Sequence, residues 1–267
     1  MTISEKYVAG LIDSDGCVGF TQVKTGWKPT IVLSIAQKTI HANVLSEIQA
    51  QYGGRLRTKS IKNSSYSEWH LVGKEAVKLL SRLVKYLVIK RDYVEWCLSQ
   101  EPNKIETTTT EWNKARKLAR QQPSKYVKNY PSRKWLAGYF DGDGCIQVTT
   151  VSNTDYPLVR LSASAHESDL EGLYLIQKAF GGKVAVMKQG GCVYEWVLNC
   201  GRLRKTSLIK FLEYVKPNSH IKKQQLLEVL QQVKSEHPKG IYLKQKLKAL
   251  KNPPAETNRE DTLSVKR

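Results

Sequence analysis

The sequence has no apolar run approaching the length needed to cross a bilayer, which excludes a membrane-spanning helix. Its five cysteines (Cys17, Cys97, Cys145, Cys192, Cys200) have no CxxC spacing and are odd in number, which argues against a disulfide framework. They read as small buried thiols in a reducing compartment. Acid is scarce: 24 Asp plus Glu face 43 Lys plus Arg, a net charge of +19. Such an excess points to a polyanionic partner, nucleic acid first, because a phosphate array attracts distributed cations. A membrane surface is the rival, but no basic amphipathic helix with a strong apolar face stands out, so no membrane partner is expected. A helical motif begins within ten residues of Met1. The reading is that no signal or transit peptide precedes it, and that the protein works where it is translated.

What is present is a repeat. The 267 residues suffice for one large domain or two ordinary ones, and 40% hydrophobic content is too much for wholesale disorder. A shift of 128 lays SEKYVAGLIDSDGC (4–17) over SRKWLAGYFDGDGC (132–145). The same shift pairs Leu33-Ser34 with Leu161-Ser162 and Gly53-Gly54 with Gly181-Gly182. With one residue of slippage, Glu68-Trp69 lies over Glu195-Trp196. The chain is a tandem duplication: a first repeat at 1–100, a linker at 101–131, a second repeat at 132–233 and a basic tail at 234–267.

Each copy reads as αββαββα followed by more helix, an α+β pattern. Ser4 and Ser132 stand where N-caps belong, before helical runs that end at Gly16 and Gly144. Alternation predicts strands at 18–24 and 30–36 joined through residues 26–29, then a helix at 41–52 stopped by Gly53-Gly54. Strands at 55–60 and 67–72 and helices at 74–84 and 91–98 complete the first copy. The second repeats this, with strands at 146–151, 159–165, 183–188 and 193–199 and a helix at 170–180. The linker carries a threonine run and a basic helix at 111–121, and the tail is expected to lose order after Pro253-Pro254.

In a strand, alternate residues face opposite ways. With Ile31, Leu33, Ile35, Leu56, Trp69 and Leu71 inward, Lys28, Thr30, Val32, Ser34, Arg55, Arg57, Lys59, Glu68 and His70 share an outer face. The second copy turns out Gln147, Thr149, Tyr156, Leu158, Arg160, Ser162 and Lys183. Residues of these types contact phosphates and also exchange hydrogen bonds with base edges. An ordinary solvated face reads the same way in one strand; the charge and the duplication favour a nucleic-acid surface.

The motif itself puts two aspartates at a helix C-terminus, the negative end of the macrodipole. Free carbonyl oxygens and carboxylates there attract a hard divalent cation. A calcium loop of the EF-hand kind fails, since Cys17, Val18 and Lys24 stand where it needs an acid or Asn, a glycine and a glutamate. Turn chemistry alone would serve for one copy, but two copies in a basic chain favour one cation site built from both. Ala9-Gly10 and Ala137-Gly138 offer small surfaces for close helix packing.

VAGLIDSDG (8–16) and LAGYFDGDG (136–144) resemble the paired signature of LAGLIDADG homing endonucleases in their single-chain, two-repeat form. The resemblance implies two pseudo-symmetric repeats, each with a four-stranded antiparallel sheet, together forming a DNA-binding saddle. It also implies motif helices packed at the pseudo-two-fold axis and a protein that acts as a monomer on double-stranded DNA. By motif position it gives Asp15 and Asp143 as the metal-binding acids and Ser14 and Gly142 as the carbonyl ligands, with Mg²⁺ or another divalent cation. Asp13 and Asp141 are then structural. Gln37, in Gln37-Lys38-Thr39, resembles the family's solvent-organising residue, and Lys90 and Lys222 resemble its late lysines. The second copy departs from the pattern, with Ala165 at the position of Gln37 and His166 beside it. The activity implied is site-specific double-strand cleavage of a long, partly asymmetric target, leaving staggered 3′ overhangs. The alternative within the family is an RNA maturase assisting its host intron. Family habit suggests an organellar intron, chloroplast or mitochondrial, with an archaeal or bacterial cytoplasm as the other source.

Overall fold

The computed structural model describes residues 2–21, 30–61, 64–100, 131–151, 154–187, 192–200 and 205–252. The predicted turn at 26–29 with Lys28, the linker helix at 111–121 and the tail beyond 252 lie outside them.

The first repeat runs α1 (Glu5–Asp15), β1 (Gly16–Phe20), β2 (Ile31–Lys38), α2 (Ala42–Tyr52), β3 (Arg55–Ile61), β4 (Ser64–Val72), α3 (Lys74–Leu83) and α4 (Arg91–Ser99). The second runs α5 (Arg133–Asp143), β5 (Gly144–Thr150), β6 (Pro157–His166), α6 (Leu170–Phe180), β7 (Lys183–Val186), β8 (Val193–Cys200), α7 (Lys205–Val215) and α8 (Lys223–Lys234). Each makes one four-stranded antiparallel sheet, ordered β1-β2-β4-β3 and β5-β6-β8-β7. This is the expected α+β architecture, twice over.

Local chemistry explains the elements. Period-two burial along β2 turns Ile31, Leu33 and Ile35 into the core and leaves Val32 and Ser34 partly open. Ser132 caps α5, its Oγ accepting the Trp135 amide at 3.2 Å, while Ser4 holds the same position without a side-chain bond. Helices α2 and α6 end on Gly53 and Gly181, at φ +72° and +76°, where a side chain would be strained. The Trp69 and Trp196 indoles each donate to the carbonyl of that glycine, both at 2.8 Å. The repeated Glu-Trp pair thus ties a helix end to the central strand in both halves.

Behind the second sheet Phe211 packs edge-on against Phe140 and Phe180, and tilted against Trp196. Ile35, Leu45, Ile48, Trp69 and Leu80, all fully buried, fill the first core. Some details differ from the sequence reading, among them strand starts two to three residues early at Gly16 and Ser64. Strand β7 stops at Val186, and Cys17 and Cys192 are exposed rather than buried. Cys17 follows Gly16 and precedes Val18, both inward, so alternation turns it out. Beyond the second repeat, α9 (Gly240–Lys251) docks Leu243 and Leu247 into the core, and Lys251 Nζ donates to the Ile146 carbonyl at 2.5 Å. Among the described residues no helix is long and apolar enough to cross a membrane.

Candidate active site

The two motif helices touch backbone to backbone. A Cβ added at Gly10 would sit 2.0 Å from the Trp135 carbonyl oxygen, and one at Gly138 would sit 2.0 Å from that of Tyr7. Only glycine allows this approach, and its effect is to bring the C-terminal ends of α1 and α5 together.

The first aspartate of each motif fastens this junction. Asp13 accepts the Val88 and Lys90 amides at 2.7 and 2.8 Å and, across the helix pair, the Trp135 indole at 2.7 Å. Asp141 accepts the Tyr7 phenol at 2.8 Å, the Ser219 hydroxyl at 2.6 Å, and the amides of His220, Ile221 and Lys222 at 2.7–3.0 Å. Tyr7 and Trp135 occupy equivalent positions, so each helix locks the other's aspartate. Burial lifts the Asp13 carboxyl above its ordinary range, opposed by the donors that surround it. These two aspartates are structural, and what they hold in place is the turn that delivers a lysine.

Those lysines, Lys90 and Lys222, reach back to the carbonyls that end the motif helices. Lys90 Nζ donates to the carbonyls of Ile12, Ser14 and Gly16 at 2.7, 3.0 and 2.8 Å. Lys222 Nζ donates to those of Asp141 and, at 3.4 Å, Gly142. Cations thereby offset the negative helix ends. Both remain beside the second aspartates, whose carboxyls they pull downward.

Asp15 and Asp143 are brought together at the junction and sense each other. Burial first, then the Asp15 charge, raises the Asp143 carboxyl to about 7 against the pull of Lys90 and Lys222. Burial also raises Asp15, but Lys222, the Gln37 amide and Lys90 counter it. Gln37 is buried and donates to Asp15 Oδ2. Ala165, at the equivalent position of the second half, carries no such group, and His166 beside it is exposed. Ser14 and Gly142 also form an unequal pair: a Cβ at Gly142 would lie 2.1 Å from Ser14 Oγ. Carboxylates and carbonyls are hard oxygen donors, and two mutually repelling carboxylates between helix C-termini suit a divalent cation.

The outer sheet faces follow the predicted alternation. Register places Ser34 beside His70, His70 beside Arg55 and Glu68 beside Arg57. Arg55, Arg57 and Lys59 are exposed, and Thr30 is tied to Thr21 at the strand entrance, 3.1 Å between hydroxyls. In the second sheet Gln147 opposes Arg160, and Thr149 opposes Leu158. These four help line a shallow recess of about 330 Å³. Tyr156 is half-buried and Lys183 exposed. Ser162 holds its outward register between Cys145 and Val197 but is only 2% exposed. Among the described residues each face carries an ion pair, Lys59–Glu68 at 2.6 Å and Arg160–Glu195 at 2.5 Å. Glu195 and Asn199 share the second face, and alternation along β8 from the buried Trp196 and Leu198 could have revealed them.

Residues 136–234 match the family model described as LAGLIDADG endonuclease. The intron-encoded DNA endonuclease ai2a of Dictyostelium discoideum is 25% identical over 250 residues, covering 91% of this chain and 71% of that protein. The DNA endonuclease I-CvuI of Chlorella vulgaris is 36% identical over 105 residues, 38% of this chain and 62% of that protein. Among solved structures, the LAGLIDADG homing endonuclease I-GzeII in complex with its DNA target is similar at a TM-score of 0.66. It is 19% identical, with 92% of this chain and 97% of that one covered, and so bears on the fold alone.

Proposed function

We propose that the chain belongs to the LAGLIDADG endonuclease family, whose model matches residues 136–234, and that it is a site-specific DNA endonuclease acting as a monomer. One observation carries the reading: Gly10 and Gly138 let two helices touch so that Asp15 and Asp143, one from each repeat, share a single site.

Double-stranded DNA lies along the outer faces of both sheets. Arg55, Arg57, Lys59 and Lys183 serve phosphates, while Ser34, His70, Gln147, Thr149 and Arg160 are placed for base edges. The Lys59–Glu68 pair is open to solvent on its lysine side and worth little, so a phosphate can replace the carboxylate partner there at small cost, whereas Arg160–Glu195 is half-buried and holds its arginine more firmly. Arg57 faces Ala185 across the pseudo-symmetry and His70 faces Val197, so the two half-sites differ in sequence. Thr30, Glu68 and Tyr156 complete the surface, Lys28 belongs to it by sequence, and Ser162 is too deeply buried to contribute.

Asp15 and Asp143, with the Ser14 and Gly142 carbonyls, would hold Mg²⁺ or another divalent cation. When bound, the cation supplies an activated water and stabilises the leaving 3′ oxygen. Gln37, by its bond to Asp15 Oδ2, orients that carboxylate and through it the solvent at the site. Lys90 and Lys222 keep positive charge beside the phosphate while pinning the helix ends.

The test is incubation of the purified protein with a library of duplex targets and Mg²⁺, followed by sequencing of the ends. Recovery of one long, partly asymmetric site with staggered ends supports the reading. Absence of any double-strand cut across the library would refute it.

A further inference from the structure

The two half-sites share one plan, and three of their differences belong to one corner of the site. A shift of 128 residues lays Leu11 on Tyr139, Gln37 on Ala165 and His41 on Asp169. In the first half the Gln37 amide reaches Asp15, and Leu11 is fully buried. In the second half alanine leaves room. A cavity of about 250 Å³ lies there, lined by Tyr139, Asp143, Ala165 and Asp169 on one side and by Asp13 and Lys90 of the first repeat on the other.

Tyr139 is 1% exposed, and its hydroxyl has no hydrogen-bond partner among the described residues. Its ring is fixed by stacking on Trp135, centroids 5.1 Å apart and planes 11° apart. Native proteins rarely leave a buried hydroxyl unpaired. Asp169 stands at the N-cap of α6, yet its carboxylate does not cap the helix. Burial, followed by the charges of Asp143, Asp13 and Asp169, holds the Tyr139 phenol well above its ordinary range. The phenol and these carboxylates therefore act on the same small volume. The space is polar, roomy enough for water, and offers the two to four partners that a retained water needs.

We propose that Tyr139 and Asp169 hold a water against Asp143, and that this water does for the second half-site what Gln37 does directly for the first. The Tyr139 hydroxyl donates to the water oxygen, and the water donates its two protons to the carboxylates of Asp143 and Asp169. All three groups are then satisfied, and the Asp143 carboxylate is oriented without a glutamine. Tyr139 and Asp169 are positioning residues. Their effect on strand cleavage rests on the nuclease reading; the water itself does not.

Two measurements test this on the full chain. In EDTA, Tyr139→Phe strands the water and lowers Tm by roughly 2–4 °C, and Ala165→Gln in that background restores it by putting an amide in the water's place. A Tm that is unchanged or raised by Tyr139→Phe means an orphan hydroxyl was removed, and overturns the proposal. On an end-labelled duplex target with Mg²⁺, Tyr139→Phe and Asp169→Asn each slow one strand about tenfold more than the other, and nicked product accumulates. Equal slowing of both strands, or a wild-type strand ratio, overturns the positioning role. A wild type that cuts no target removes the nuclease reading, and the melting result still decides the water.

Discussion

Replacing Gly10 by alanine probes the contact on which the whole site depends. The new Cβ would meet the Trp135 carbonyl oxygen at 2.0 Å and the Tyr139 amide nitrogen at 2.8 Å. An ordinary carbon–oxygen contact is about 3.3 Å, so the helices must part by more than 1 Å. Both clashing groups are backbone, and no side-chain rotation relieves them. Overpacking a well-packed core costs about 1–3 kcal/mol, and a backbone-to-backbone clash belongs at the upper end. Alanine recovers about 1 kcal/mol of helix propensity, leaving a net loss of roughly 2 kcal/mol. Urea unfolding should show this as a midpoint lowered by about 0.7 M, taking a slope near 3 kcal/mol/M. Cleavage should fall further than stability, because parting the helices separates Asp15 from Asp143. Gly138→Ala should behave alike, since its Cβ would meet the Tyr7 carbonyl at 2.0 Å. Gly19→Ala is the control: nothing lies within 4 Å of its added carbon. A Gly10→Ala midpoint equal to or above wild type would refute the reasoning.

The Asp143 carboxyl, raised to about 7, binds a proton in the folded state that the unfolded chain has released above its ordinary 3.8. The metal-free protein therefore loses stability as pH climbs from about 4 toward 7. Asp143→Asn should stabilise it at pH 8 by up to about 4 kcal/mol and have no effect at pH 4, as read from denaturant midpoints at the two pH values. Because the cation competes with that proton, half-maximal Mg²⁺ for cutting should rise about tenfold per unit below pH 7. Asp141→Asn presents an amide donor to a carboxylate site already filled by five donors, and should cost about 3 kcal/mol or more in urea unfolding. Gly142→Ser should clash with Ser14 and with the Asp15 carboxylate and lower Tm, while adding Ser14→Gly should recover only the part due to Ser14.

Much of this was legible in the sequence because the chain states it twice. The offset of 128 alone relates helices α2 and α6 residue for residue, 42–52 against 170–180. Alternation about Leu33 and Trp69 located the outer faces, since a period of two leaves no freedom once one inward residue is known. Ala-Gly at equal places in both motifs announced the close approach, although the backbone contact itself needed coordinates. Asp13 was opaque because its partners lie 75, 77 and 122 residues away, and no local pattern announces an acid that caps a distant turn. Lys90 and Lys222 stood out only by their resemblance to the family's late lysines, and their hold on the helix-end carbonyls could not be read from spacing. Tyr139 and Asp169 were invisible for a different reason: each looks ordinary alone, and only the cavity left by Ala165 joins them. Helix α9 was hidden by a basic composition that read as tail, its buried side reduced to Leu243 and Leu247.

The proposed site is one cation-dependent centre formed by Asp15 and Asp143 together. It is tested most directly with the chain carrying both Asp15→Asn and Asp143→Asn, assayed on a cleaved duplex for binding and for cutting. Binding should stay within about threefold of wild type, since the sheet faces and their cations are untouched. Cutting should fall at least about a thousandfold, to the level of wild type in EDTA. Double-strand cutting by the double variant at more than a few per cent of the wild-type rate would contradict the account.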